Sequence, residues 1–224
     1  MTIPFVDIHT HHDAGSAYAI VNLDLLLQIP DEIAGHYHSY GIHPWWFDDH
    51  PQPEFLEQQL QLLEQLLRDN RLAAIGETGI DKLHEHSLQR QKESFEQHIL
   101  LSEQYHKPLI IHNVRGTQLL MDLHKKHHPQ QVWIIHGFNG SAEEIKQLTQ
   151  KGCHLSVGES LLHKNRKIHQ SIKSIPLEYL FFETDTSDCP IEDLYQKAAE
   201  RMEMPLELLK TKVFDNYKRC FGIS

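Results

Sequence analysis

Along the chain, short runs of aliphatic, β-branched and aromatic residues alternate with longer stretches in which apolar positions recur every three or four residues. The short runs fall at 4–9, 18–23, 36–42, 72–77, 108–112, 132–136, 153–157 and 179–183, which predicts eight strands. The longer ones, at 55–67, 88–105, 117–124, 142–151, 191–202 and 206–221, predict amphipathic helices. In the first of these, Phe55, Leu56, Leu60, Leu63, Leu66 and Leu67 form one apolar stripe, with Glu and Gln on the other face. The last follows Pro205 and carries Leu209, Val213, Phe214 and Tyr217. Strand alternating with helix predicts an α/β fold with a parallel sheet, and eight such units predict a (β/α)8 TIM-type barrel. At 224 residues the chain is compact beside the ~250 of an ordinary barrel. The shortfall is early: 10–17 are too few for a helix, and the segment after Leu23 is also cut short. No linker, repeat or low-complexity tract interrupts the pattern, so 1–224 is expected to be a single domain.

Composition narrows the function classes. With 40% hydrophobic and 23% charged residues the chain belongs with ordinary folded soluble proteins. No apolar run approaches the ~20 residues of a bilayer span. The segment Met1-Thr2-Ile3-Pro4-Phe5 carries neither a basic region nor an apolar signal core. Cys153, Cys189 and Cys220 lack CxxC spacing, so neither a disulfide framework nor a Cys-rich zinc knuckle is expected. A cytoplasmic location is the resulting expectation, with no membrane partner and no obligate protein partner. Lys and Arg number 21 against 31 Asp and Glu, for a net charge of −10. That balance argues against tight, non-specific nucleic-acid binding, which draws on many cation–phosphate contacts. His is abundant, at 19 residues, but many stand in surface-like runs such as His124-Lys125-Lys126-His127-His128.

The chemistry-bearing residues gather where a barrel places its function, at the C-terminal ends of strands. The first strand ends His9-Thr10-His11, and His at i and i+2 of a strand point to one face. The fourth ends Ile75-Gly76-Glu77-Thr78-Gly79-Ile80-Asp81, the fifth Ile111-His112, the sixth Ile135-His136-Gly137 and the eighth Glu183-Thr184-Asp185. Singly, each has a plainer explanation as a hydrogen-bonded core residue or a helix-terminal charge. Jointly, four His and two carboxylates at one rim exceed the needs of a single tetrahedral ion. They suit two divalent ions, ~3.5–4 Å apart, with one carboxylate shared. The mixed nitrogen and oxygen donors suit Zn, Mn or Ni better than an all-oxygen Ca or Mg site, although Mg stays among the candidates.

These segments, with Gly41-Ile42-His43-Pro44-Trp45, Phe138-Asn139-Gly140, the helix Gln91–His98 and the terminal Asn216-Tyr217-Lys218-Arg219-Cys220-Phe221, resemble the TatD family of metal-dependent hydrolases over about residues 4–222. The resemblance implies an amidohydrolase-type barrel with a two-metal centre. His9, His11 and Asp185 would bind one ion, His112 and His136 the other, and Glu77 would bridge them. It also implies deoxyribonuclease activity, with DNA as a weakly held substrate. The chain departs from the family pattern after Asp185, where Thr186-Ser187-Asp188-Cys189-Pro190 replaces a Pro followed by an Arg and Asn-Pro loop, and after the fifth strand, where His112-Asn113-Val114-Arg115 carries the Arg one place late.

Glu77 and Asp185 are therefore the expected catalytic carboxylates, Asp185 as a ligand that also takes the proton of the attacking water. His43, Arg115 and Lys82 are the expected holders of an anionic substrate. Trp45 and Trp46 are expected to cap the barrel core, with a stacking wall as the alternative. Three competing functions share these residues: an amidohydrolase-type enzyme acting on an amide, lactone or phosphotriester, a PHP-type phosphoesterase, and a metal-binding protein without turnover.

Overall fold

The computed structural model describes residues 3–12, 18–23 and 37–222. Eight strands follow the chain: β1 (Asp7–Thr10), β2 (Ala19–Asn22), β3 (Tyr37–Tyr40), β4 (Ala74–Asp81), β5 (Leu109–Val114), β6 (Trp133–Ile135), β7 (His154–Val157) and β8 (Leu180–Phe182). Each pairs in parallel with the next, in sequence order. An isolated parallel bridge between Thr10 and Asp185 brings the last strand back to the first. There Asp185 N donates to His9 O at 2.9 Å and His11 N donates to Asp185 O at 3.0 Å. The result is the nearly closed parallel barrel that the alternation of strand and helix predicts.

Helices α1 (Trp46–Asp49), α2 (Pro53–Arg68), α3 (Leu88–Tyr105), α4 (Thr117–His127), α5 (Ala142–Thr149), α6 (Lys167–Ser171), α7 (Ile191–Arg201) and α8 (Leu206–Phe221) cover the sheet. Their starts are written locally. Pro53 opens α2, where its missing N–H has no partner to lose. Ser141 and Glu144 cap α5 reciprocally. Ile20, Ile75, Ile110, Ile134, Leu155 and Phe181 from the strands are fully buried, with Leu63, Phe95, Leu120, Leu194 and Val213 from the helices. Two polar ties fix the closing strands. Tyr195 Oη on α7 donates to Val6 O at 3.0 Å and accepts from Val6 N at 3.1 Å. Asn216 Nδ2 on α8 donates to Leu177 O at 2.7 Å and Leu180 O at 3.0 Å.

Two differences from the sequence pattern matter. The short helices α1 and α6 lack a readable period. More consequentially, β4 does not end at Glu77 but runs on to Asp81, its eight residues all buried. Glycine usually interrupts a strand, yet here it admits close pairing. A Cβ at Gly76 would lie 2.4 Å from Ile110 O, and one at Gly79 would lie 2.1 Å from His112 O. Between them the register slips: Ile75 faces Leu109 and Thr78 faces Ile111, a bulge centred on the cis peptide Gly76–Glu77. The expected shortening at 13–17 and 24–36, with His36 of the third expected strand, lies outside the described residues.

Candidate active site

Strand ends build the centre. His9 and His11 leave β1 two residues apart, Glu77 sits in the β4 bulge, His112 is on β5, His136 follows β6, and Asp185 closes the barrel after β8. Around a cavity of about 300 Å3, lined by His11, Glu77, His112, His136 and Asp185 among others, all six predicted residues gather at one mouth.

Glu77 is the hub. Its Oε2 lies 3.3 Å from His9 Nε2 and 3.5 Å from His11 Nε2. Its Oε1 lies 2.8 Å from His112 Nδ1, 2.7 Å from His136 Nε2 and 3.0 Å from His43 Nε2. Asp185 Oδ1 is 3.6 Å from both His9 Nε2 and His11 Nε2. Donor atoms from His9, His11 and Glu77 lie within 4.8 Å of one another, as do those of His9, His136 and Asp185, and those of His43, Glu77 and His112. His43, expected as a substrate contact, is thus drawn into the donor cluster as well.

The electrostatics follow from burial against pairing. Burial raises the Glu77 carboxyl, but His136, His11 and His112 hold it well below the usual carboxylate range. Burial pulls His9 down, yet Asp185 and Glu77 outweigh it and push the imidazole up to about 9. His136 is likewise lifted well above its ordinary value by Glu77 and Glu183 against the desolvation cost. Asp185 is lowered, its burial overcome by His9 and His136. At His43 burial wins over Glu77, and the ring is lowered. The His43 tautomer can be read from its neighbours: Trp45 N donates to Nδ1 at 3.2 Å, so the proton is on Nε2.

A metal fits these residues. His9 is wholly buried, and neither of its ring nitrogens makes a hydrogen bond within the protein. A buried imidazole without a partner is costly unless something else takes its lone pair. The Nε2 atom faces two carboxylate oxygens, which is a ligand arrangement, and the nitrogen–oxygen donor set is that of a borderline divalent cation.

Several residues that hold this set were not singled out in the sequence. Asp81 Oδ2 lies 3.2 Å from His112 Nε2 and accepts from Trp45 Nε1 at 2.7 Å. Glu183 Oε1 accepts from Gly137 N and lies 3.5 Å from His136 Nδ1. Asn22 Oδ1 accepts from Glu77 N at 2.9 Å. Asp7 accepts from Thr184 Oγ1 at 2.7 Å and from Thr184 N at 3.1 Å, and burial raises its carboxyl to about 6 against those bonds. Asp81 and Glu183 stood inside the quoted motifs and were findable there as partners for the rear nitrogens of the histidines. Asn22, a lone amide ending a short strand, gave no signal.

Other expectations separate here. Lys82 and Arg115 do not line the cavity: they follow the ends of β4 and β5, Lys82 N donating to Val114 O at 2.9 Å. The two tryptophans divide. Trp46 packs on the core, with ring centroids 6.3 Å from Phe55 and 6.4 Å from Tyr40, whereas Trp45 is 49% exposed and packs against His43 and His112 at the cavity. Among the described residues, no helix is long and apolar enough to cross a membrane.

Comparison with known proteins agrees with this geometry. The profile of the family described as TatD related DNase matches residues 18–222. The metal-dependent hydrolase YjjV of Escherichia coli K12 is 27% identical over 216 residues, covering 85% of this chain and 82% of its own. The crystal structure of that TatD homologue superposes over 100% of both chains with a TM-score of 0.86 at 23% identity. A protein named deoxyribonuclease Tat-D from Schizosaccharomyces pombe is 25% identical over 154 residues, covering 66% of this chain and 46% of its own.

Proposed function

The chain belongs to the TatD-related DNase family of metal-dependent hydrolases, and from that premise we propose that it is a phosphodiesterase acting on DNA through two divalent ions. The observation that carries the reading is the division of Glu77, with one oxygen turned to His9 and His11 and the other to His112 and His136. A carboxylate placed this way is suited to be shared between two cations. His9, His11 and Asp185 would hold one, and His112 and His136 the other, drawn from Zn, Mn, Ni or Mg. When bound, such ions supply Lewis acidity at a phosphoryl oxygen and lower the pKa of water towards ~7.

The rest falls to the side chains. Asp185 turns Oδ1 towards His9 and His11 and stands at the more open side, where its second oxygen would take the proton of the attacking water. His43 carries its proton on Nε2 at the cavity wall, where it faces Glu77 Oε1 at 3.0 Å and would share it with a phosphoryl oxygen entering beside that carboxylate. Asp81 and Glu183 hold His112 and His136 in orientation from behind. Lys82 and Arg115, beyond the cavity, would meet phosphates further along a strand. With a net charge of −10, that grip on DNA is weak and salt-sensitive. The relative named deoxyribonuclease Tat-D supports the choice of DNA over other phosphodiesters.

The test is a substrate panel on metal-loaded protein: single-stranded DNA, a bis-aryl phosphodiester and simple amides. Hydrolysis of the first two is expected. Turnover of amides with none of DNA would move the protein to the amidohydrolase type, and turnover of nothing in the panel would leave a metal-binding protein.

A further inference from the structure

One wall of the cavity plays no part in the hydrolytic chemistry. Trp45 lines it beside Glu77 and His112, yet 49% of its surface is open. The ring is not loose. Its Nε1–H donates to the Asp81 carboxylate at 2.7 Å, and Asp81 is itself buried. It stands nearly perpendicular to His43, with centroids 4.8 Å apart at 85°, and to His112, at 5.8 Å and 76°. His84 lies on a tilted plane 5.6 Å away. Three imidazoles and a carboxylate therefore hold one large ring in place while half of it stays wet. Neighbouring Trp46 shows the ordinary fate of the residue type, packed against Phe55 and Tyr40.

A fixed, half-exposed indole offers a face to a flat ring, and base–aromatic stacking is worth enough to matter where phosphate contacts are few. On a chain of net charge −10 they are few. We infer that Trp45 is the platform on which an aromatic ring of the substrate, a nucleobase adjoining the scissile phosphodiester, stacks, so that the centre selects base-bearing strands over bare sugar-phosphate. The inference rests on the phosphodiesterase reading and adds its specificity determinant.

The experiment compares single-stranded oligodeoxynucleotides with and without abasic tetrahydrofuran residues flanking the cleaved bond, on metal-loaded protein. The wild type should favour the base-bearing strand by roughly 5- to 150-fold, chiefly in KM. Trp45→Ala should bring that ratio close to one, and Trp45→Phe should keep most of it. Both variants remove the Nε1–H bond to Asp81, so a merely structural role would damage the two alike. Quenching of tryptophan emission reads the same contact without turnover: deoxyadenosine 5′-monophosphate should quench, 2-deoxyribose 5-phosphate should not, and Trp45→Phe should abolish the effect. Equal cleavage of the two strands by the wild type, or a preference that survives Trp45→Ala, overturns the inference. If the wild type cleaves neither strand, the phosphodiesterase reading falls, and the quench decides the platform by itself: its loss in Trp45→Phe supports the platform, and its absence in the wild type ends it.

Discussion

The two halves of the centre are built differently. Around Glu77 Oε2 stand the buried His9 and, further out, His11 with Asp185, whose side chains are 30% and 38% exposed, Asp185 being tied by backbone bonds to the barrel seam. Around Glu77 Oε1 stand His112 and His136, 11% and 7% exposed, each backed by a buried carboxylate, Asp81 or Glu183. One half is open and lightly held, the other closed and braced. On the proposed mechanism the attacking water enters on the open side, which is where a proton acceptor such as Asp185 would have to stand. The braced half is held from behind by Asp81 and Glu183, which suits an electrostatic site that has to avoid reorganising during reaction.

Glu77→Gln should erase the distinction altogether. It removes the charge both halves share, and activity should fall to background while metal analysis shows loss at both. One ion bound at saturation, with Glu77→Gln harmless to it, would refute the paired centre. Asp185→Asn should strike the open half alone. It keeps size and a carbonyl oxygen but loses basicity, so turnover should drop on the order of 10²–10⁴ with most metal retained. If excess metal restores the rate in full, Asp185 is a ligand and not a base. Asp81→Asn and Glu183→Gln probe the braced half. Each should cost about 10- to 100-fold in metal affinity or activity, the usual effect of losing a partner behind a histidine ligand. An equal loss from a substitution at an exposed carboxylate such as Glu192 would show the bracing to be irrelevant.

Away from the centre, the effect to look for is on stability and leaves the comparison of the two halves untouched. His98 on α3 is fully buried, with Nδ1 2.7 Å from Ser94 O and Nε2 accepting from Ile42 N at 3.1 Å, beside His43. Only the neutral ring with its proton on Nδ1 makes both bonds, and burial lowers its pKa to about 4. Unfolded, the same imidazole titrates near 6.5 and binds the proton first. Its contribution is therefore intact above about pH 6.5 and is lost as pH falls towards 4, by about 3 kcal/mol in all. Denaturant midpoints in chelator should show this slope in the wild type and a shallower one in His98→Gln. Superimposable pH profiles would remove His98 from the account.

Six helices, eight strands and the gathering of six His and carboxylate residues were legible because strand ends in a parallel barrel share a rim, and the run of His and carboxylates at those ends survives any error of one or two residues in a boundary. Asp81 stood at the end of the fourth strand's motif but was given no role, because nothing in the sequence says that its carboxylate turns to His112 and Trp45. For Trp45 and Trp46 capping and stacking were both open, because composition cannot say which of two adjacent tryptophans faces water. Lys82 and Arg115 stood at the right strand ends, but side chains one residue past a strand need not turn inward. Asn22 illustrates the limit: an amide that holds one backbone N–H of the hub residue has no period, spacing or charge to advertise it.

The seam between β8 and β1 ties the chemistry to the order of synthesis. Asp7 and Thr184 meet across a separation of 177 residues, and the same seam sets Asp185 against His9 and His11. While the chain leaves the ribosome, β1 must wait with one edge unpaired until nearly the whole barrel has followed it. No truncated translation product ending before that seam can assemble the open half. A chain that has not yet reached Asp185 therefore lacks one of the six clustered side chains, and the cluster is complete only once the seam has closed.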